Sequence, residues 1–433
     1  MPSAFKTLDW VQKTNIYEVN VRQYTHEGTF NAFAKHLSGL KDMGVHTLWF
    51  MPIHPIGKIK RLGTLGSYYS ISDHKAINPE FGTVEDFKAL VNEAHQMGFK
   101  IMIDWVANHT AWDHVWTKEH PEFYLQDAEA RLNDEVGQGN FVSPYDWKDV
   151  IQIDHSNTAQ QEAMIDAMKF WVEECDIDGF RCDMAHLTPL DFWRKARTEL
   201  DAVKPLFWLA ETEHSSYHEV FDASYTWEFL HKMEEYGRGG TNIEGLDKVL
   251  QKYKTDFLFN AIRMFFTSNH DENSHSGSEY ERMKDAAIPI AVLCATWDGI
   301  PLVYSGQELP VTKRLNFYNK DEIHWTGNNQ LHDFYKTLLH LHSSHPALQA
   351  GDPETKSYRI NSTNDENIFA FLRKKDLKEV LVILNLSSAD LDLEMIDDRV
   401  GGSYQNVFTN EIRDFTSNKR ISIKNWGYLV LVK

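Results

Sequence analysis

The sequence predicts a (β/α)8 barrel of the TIM type, with an inserted subdomain after the third strand and a C-terminal antiparallel β-sandwich. Three observations predict it. Short apolar runs alternate with amphipathic helical stretches over the first 345 or so residues. A polar, aromatic segment without any period interrupts the alternation after the third run. From about residue 352 the pattern changes to short period-two strands. Strands alternating with helices make parallel βα units, and eight such units close a barrel.

The strand-like runs span 15–21, 47–51, 100–106, 179–184, 206–211, 220–225, 263–268 and 302–305. Helical periodicity lies between them, over 30–43, 84–97, 159–175, 281–296 and 330–345. The barrel is thus assigned to 1–109 and 153–350, the insertion to 110–152 and the sandwich to 351–433. In the last segment the runs 368–372, 379–386, 391–395 and 428–432 are separated by Asn, Gly, Ser and Asp clusters, as in antiparallel sheets.

Composition narrows the function. A chain of 433 residues suits one large domain and a smaller one. The formal charge of −19 argues against nucleic acid and against anionic membrane surfaces, since both call for a basic face. A neutral, polyhydroxylated substrate fits better, and 13 Trp, 17 Tyr and 25 Phe supply flat faces for sugar rings. Three cysteines cannot build a disulfide framework. Cys182 and Cys294 read as small core residues, and Cys175, at a helix end, as partly exposed. No run of about 18 apolar residues is present to span a membrane, and the first ten residues lack signal-peptide features. A cytoplasmic protein is expected as written, or a periplasmic or secreted one if a signal was removed. Oligomeric state is not readable.

The chemistry gathers at the carboxyl ends of the strands, where side chains of such a barrel converge. The third strand ends in Asp104-Trp-Val-Ala-Asn108-His109, the fourth in Gly179-Phe-Arg181-Cys-Asp183, the fifth in Glu211 and the seventh in Asn269-His270-Asp271. Buried charges are costly unless paired or used. Glycoside hydrolysis needs two carboxyl groups, one protonated to release the leaving oxygen and one to attack or to activate water. Asp183 and Glu211 end consecutive parallel strands, so they could approach to about 5 Å, the separation of a retaining pair. Arg181, two residues before Asp183, shares its face and is expected to hold it ionised. Leu209 and Ala210 are expected to give Glu211 apolar surroundings that raise its pKa.

These segments resemble the α-amylase family, glycoside hydrolase family 13. The resemblance extends to Gly44-Val-His-Thr-Leu-Trp49-Phe-Met-Pro52 at the second strand and to Tyr69-Ser-Ile-Ser-Asp73. It includes Gly299-Ile-Pro-Leu-Val-Tyr304-Ser-Gly306-Gln-Glu308 at the eighth strand, seven motifs in the family's order. The resemblance implies Asp183 as nucleophile, Glu211 as general acid/base and Asp271 as a stabiliser binding sugar hydroxyls. It implies that Tyr69 stacks under the reacting sugar, that His109 and His270 hydrogen-bond it, and that Arg181 orients Asp183. Asp104 is expected to hold the barrel together by hydrogen bonds. His186 is a candidate for contact beyond the cleavage point or a plain surface residue, and Arg314 for reaching sugar hydroxyls or a solvated charge.

Relatives often bind Ca2+ between the insertion and the barrel, and Asn108 is the one ligand that maps here. The loop Arg22-Gln-Tyr-Thr-His-Glu27-Gly is too poor in carboxylates for the family's other calcium site. No Cys or His pairs have zinc spacing, and no organic cofactor is expected. The substrate expected is an α-1,4-glucan or maltodextrin. An α-glucosidase or glucanotransferase acting on short oligosaccharides is the alternative, because 152–157, Gln-Ile-Asp-His-Ser-Asn, departs from the specificity forms known in the family. A non-catalytic glycan-binding relative is a third reading, disfavoured because all three carboxylates are present.

Overall fold

The structure, a computed structural model, describes residues 5–127 and 141–433. Residues 1–4 of the assigned barrel and 128–140 of the assigned insertion lie outside the described residues. Eight parallel strands form a closed barrel: β1 (Ile16–Val19), β2 (Thr47–Phe50), β3 (Lys100–Trp105), β4 (Gly179–Cys182), β5 (Phe207–Ala210), β6 (Ala223–Tyr225), β7 (Ile262–Phe265) and β8 (Ile300–Tyr304). Neighbours in sequence are neighbours in space, and β8 pairs with β1 to complete the ring. All are buried except for Lys100 at the start of β3, which explains why they read as unbroken apolar runs.

Helices cover the barrel where capping and periodicity coincide. Thr83 and Asp86 form a reciprocal cap at the start of Val84–Gln96. Asn157 caps Thr158–Cys175, which stops at Asp176 in the left-handed conformation. Cys175 is buried at that helix end, not partly exposed as expected, because the last turn packs into the core. Two long helical patterns prove discontinuous. The 30–43 pattern divides into Phe30–Ala34 and Leu37–Asp42, with His36 turned edge-on to Tyr24 at 5.1 Å. The 281–296 pattern breaks at Lys284, whose φ of +54° no helix continues through. After β5 only a 3-10 turn, Ser215–Glu219, leads to β6.

The described part of the insertion returns to the barrel through His109–Ala111 paired antiparallel with Val150–Gln152. The C-terminal segment forms a six-stranded antiparallel sheet and a two-stranded one. Its central strands, Ile368–Lys375 and Lys378–Asn385, are buried on both faces. Phe369 and Phe371 pack on Trp297 of the barrel, whereas Ile368, Ala370 and Leu372 join Leu393 and Ile421 in a second core. Short polar strands at Lys356–Ile360, Ser403–Asn406, Ile412–Asp414 and Arg420–Ile423 carried too little apolar pattern to be read beforehand. Among the described residues no helix is long and apolar enough to cross a membrane.

Candidate active site

The register of β4 on β5 builds the centre of the site. Cys182 pairs with Ala210, so the next residues, Asp183 and Glu211, leave the barrel side by side at about the 4.8 Å spacing of neighbouring strands. Glu211 N–H donates to the Cys182 carbonyl at 3.0 Å and Asp183 N–H to that of Trp105 at 2.9 Å, so the pairing continues to the strand ends. Gly179 permits this closeness, since a Cβ there would meet the Phe207 carbonyl oxygen at 2.3 Å. Met184 follows in the left-handed region (φ +38°) and donates its N–H to Glu211 Oε2 at 2.7 Å. Above them opens a pocket of about 210 Å3 lined by Asp183, Glu211, Asp271, Tyr69 and His109.

Arg181 lies beneath this floor, fully buried. Its Nη1 donates to Asp104 Oδ1 at 2.9 Å and to Asp183 Oδ1 at 3.0 Å, and its Nε to Tyr225 Oη at 3.0 Å. Nη2 stands 2.9 Å from Glu211 Oε2, a charge contact whose angle falls short of a hydrogen bond. Arg181 thus faces Asp183 as expected and Glu211 as well, and burial raises Glu211 as expected, but the expectation that Arg181 holds Asp183 down is corrected. One guanidinium faces both carboxyls, because adjacent strands place them equally near its two ends. Burial, then the Glu211 charge, push the Asp183 carboxyl well up, against the pull of Arg181. Burial pushes Glu211 up too, again with Arg181 opposing. The two carboxyls are therefore pushed in the same direction by burial and drawn back by one shared cation.

Asp271 projects half-exposed from the opposite wall. Burial works to raise it, but the charge and hydrogen bond of His270 hold it down at about 2. His270 is buried with both ring nitrogens engaged: Nδ1 with Glu18, and Nε2 with Tyr69 Oη at 2.7 Å and Asp271 Oδ2 at 3.3 Å. Burial disfavours its charge, yet Asp271 and Glu18 raise its pKa well above the usual histidine value. Tyr69 Oη donates to Asp104 Oδ2 at 3.0 Å, tying this wall to the Arg181 cluster. The arrangement offers a pair of carboxyls on one guanidinium, a separate carboxylate held ionised by His270 and an aromatic face in one pocket.

The sequence profile of the alpha-amylase catalytic domain matches residues 9–345. The chain belongs to the α-amylase family. A noncanonic maltogenic alpha-amylase, AmyB, from Thermotoga neapolitana superposes with a TM-score of 0.88 at 30% identity, covering 98% of this chain and 99% of that one. An alpha-amylase of Haloarcula japonica is 26% identical over 88% of this chain, which spans only 56% of that relative's length. An alpha-1,4-glucan:maltose-1-phosphate maltosyltransferase of Picrophilus torridus is 25% identical over 84% of this chain and 59% of its own length.

The family's other expected positions divide unequally. His109 lines the pocket, and burial pushes its pKa down to about 3, so it is a neutral donor or acceptor there. His270 and Arg181 lie below the lining and reach the pocket only through Tyr69, Asp271, Asp183 and Glu211. His186 is exposed beside His214, outside the lining. Arg314 also stands outside it, at the surface against Glu281 at 3.3 Å, because Glu281 opens a helix that packs near the loop after β8. This exposed placement matches the solvated-charge reading of Arg314.

Asn108 is buried, its side-chain oxygen accepting from Gln152 Nε2 at 3.2 Å and its carbonyl from Ile153 N–H at 3.1 Å. Each oxygen keeps one lone pair, but no group of three or more His, Cys, Asp or Glu is gathered for a metal among the described residues. Calcium takes six to eight oxygens, so the residues around Asn108 do not fit it.

Sequence reasoning missed Glu18, which holds His270 from β1. An acidic residue inside the apolar run Ile16-Tyr17-Glu18-Val19 was the available signal. It also missed Trp147 and Asp149 from the insertion, His275 after β7, and Phe317 and Tyr318 after β8, all of which line the pocket. These stand in irregular segments, where no period marks a residue that points inward.

Proposed function

We propose that the chain is a retaining glycosidase cleaving α-1,4-glucosidic bonds in starch-like glucans or maltodextrins. In this reading Asp183 is the nucleophile, Glu211 the acid/base and Asp271 the stabiliser. The observation that carries it is the in-register placement of Asp183 and Glu211 on β4 and β5, facing one pocket. Carboxyls about 5 Å apart suit direct attack on the sugar, whereas inverting pairs stand farther apart to admit a water.

In the first step an Asp183 oxygen attacks the anomeric carbon while Glu211 gives its proton to the departing glycosidic oxygen. The C–O bond to the leaving chain breaks as the bond to Asp183 forms, giving a glycosyl ester. In the second step Glu211 takes a proton from water, whose oxygen attacks the same carbon and frees Asp183. Two inversions leave the configuration retained. Asp271, ionised well below neutral pH by His270, supplies fixed negative charge for sugar hydroxyls and for the developing positive ring. Tyr69 and His109 complete the walls around that ring.

Similarity to maltosyltransferases supports a second reading, in which a sugar hydroxyl replaces water in the second step. The product profile on starch, maltoheptaose, cyclodextrin and isomaltose separates the two, since transfer yields chains longer than the substrate. Glu211→Gln should lower hydrolysis about 10^3-fold while leaving glucan binding largely intact. Product anomers followed by NMR should appear first as α, and initial β product would overturn the retaining assignment.

A further inference from the structure

Among the described residues Asp149 is the one pocket carboxylate outside the three assigned above, and its surroundings are unlike theirs. It stands on the returning arm of the insertion, immediately before the strand Val150–Gln152. Its backbone is held from several sides. Ser70 Oγ donates to its carbonyl at 2.8 Å and Trp112 Nε1 to the carbonyl of Lys148 at 3.0 Å. The following strand pairs with His109–Ala111, which carries the pocket's own His109.

Among the described residues no side chain or backbone N–H of another residue is hydrogen-bonded to the carboxylate, whose favourable contact is with its own backbone. Asp149 is 6% exposed and lines the pocket together with Trp147. A mostly buried carboxylate with free lone pairs is costly to keep unless something satisfies them. Tyr318 shares this end of the pocket and feels the charges of both Asp149 and Asp271. Its position is equally well held: Leu65 N–H donates to its carbonyl at 3.0 Å, and its own N–H donates to Asn316 Oδ1 at 3.0 Å. Glu211, as proton donor, marks the side of the departing chain. The Asp271 end with Asp149 and Tyr318 then faces the sugar that stays on the enzyme.

We propose that Asp149 grips hydroxyls of a glucose unit on the glycone side of the scissile bond and so registers the glucan against Asp183 and Glu211. Vicinal sugar hydroxyls are paired donors, and a carboxylate accepts two of them at once. The insertion thereby acts as a specificity element, through a residue on a β-strand shoulder rather than on a free loop. This inference rests on the glucan-cleaving reading above.

The test compares the full-length wild type with Asp149→Ala and Asp149→Asn, using maltotetraose as substrate. Binding is measured separately, by calorimetry of maltotetraose on Glu211→Gln with and without Asp149→Ala. The expected result is a KM and a dissociation constant raised about 10- to 100-fold by Asp149→Ala, with a smaller rise for Asp149→Asn and kcat changed far less. The melting temperature should stay near that of the parent, since no bond from another described residue to the carboxylate is lost. Unchanged KM and affinity would overturn the proposal. So would a melting temperature lowered in both variants, which would make the carboxylate structural. If the wild type cleaves no α-glucan, the catalytic reading fails by itself, because calorimetry still reads the dependence of binding on Asp149.

Discussion

Arg181 contacts Glu211 across the boundary between β4 and β5, Nη2 to Oε2 at 2.9 Å, while its Nη1 bonds Asp183 and Asp104. A planar fork serves three carboxylates on three strands, which a point charge cannot do. Arg181→Lys should therefore lower kcat/KM by about 100-fold or more. It should also move the acid limb of the pH–rate profile to higher pH, because carboxyls that lose a cationic partner hold their protons longer. An acid limb unmoved, or moved to lower pH, would show that Arg181 does not set the charge of the pair.

Tyr69 stacks on His270 with ring centroids 5.3 Å apart, and its hydroxyl bonds both Asp104 and His270. Tyr69→Phe keeps the ring and removes both bonds. Urea denaturation should register a loss of about 1 to 3 kcal/mol, because Asp104 is a buried carboxylate left one donor short. A further fall of about tenfold in kcat/KM is expected as His270 and Asp271 lose their tether. If the ring alone matters, the variant will match the wild type in both measurements.

Glu308 tests linkage away from the chemistry. It is fully buried, accepts from Tyr17 Oη at 2.7 Å, and has its other oxygen without a partner. Burial pushes its pKa up to about 7. A carboxyl raised on folding contributes stability that is complete below its unfolded value, near 4.3, and lost as pH rises through about 7. The loss amounts to about 4 kcal/mol across that window. Glu308→Gln stays neutral, so its stability relative to wild type should improve between pH 5 and pH 8 in paired denaturation curves. A difference that does not change with pH would mean that Glu308 titrates near its ordinary value.

How far the sequence is legible depends on the range of the physics involved. Residues 15–21, 47–51 and 100–106 marked their strands because parallel strands enclosed by helices bury both faces. The motif ends pointed to Asp183, Glu211 and Asp271 because the closing direction of βα units follows from chain handedness. The helices at 30–43 and 281–296 were overextended, since the side-chain period persists across the break between Ala34 and Leu37 and past Lys284, where the backbone turns. Edge strands such as Ile412–Asp414 went unread because little of their surface is buried.

The sequence by itself determined the barrel, the family and which strand ends carry carboxylates. These depend on local alternation, turn chemistry and short motifs, each decided within a few residues along the chain. Only the tertiary structure decided that Arg181 is shared with Glu211, that Glu18 holds His270, that Arg314 turns away to Glu281, and that Asp149 enters the pocket. Those facts concern groups as far as 252 residues apart, brought together by barrel closure and the return of the insertion. At such separations the energy of a charge is set by its burial and by its neighbours across strands. Neither quantity exists until the chain has folded.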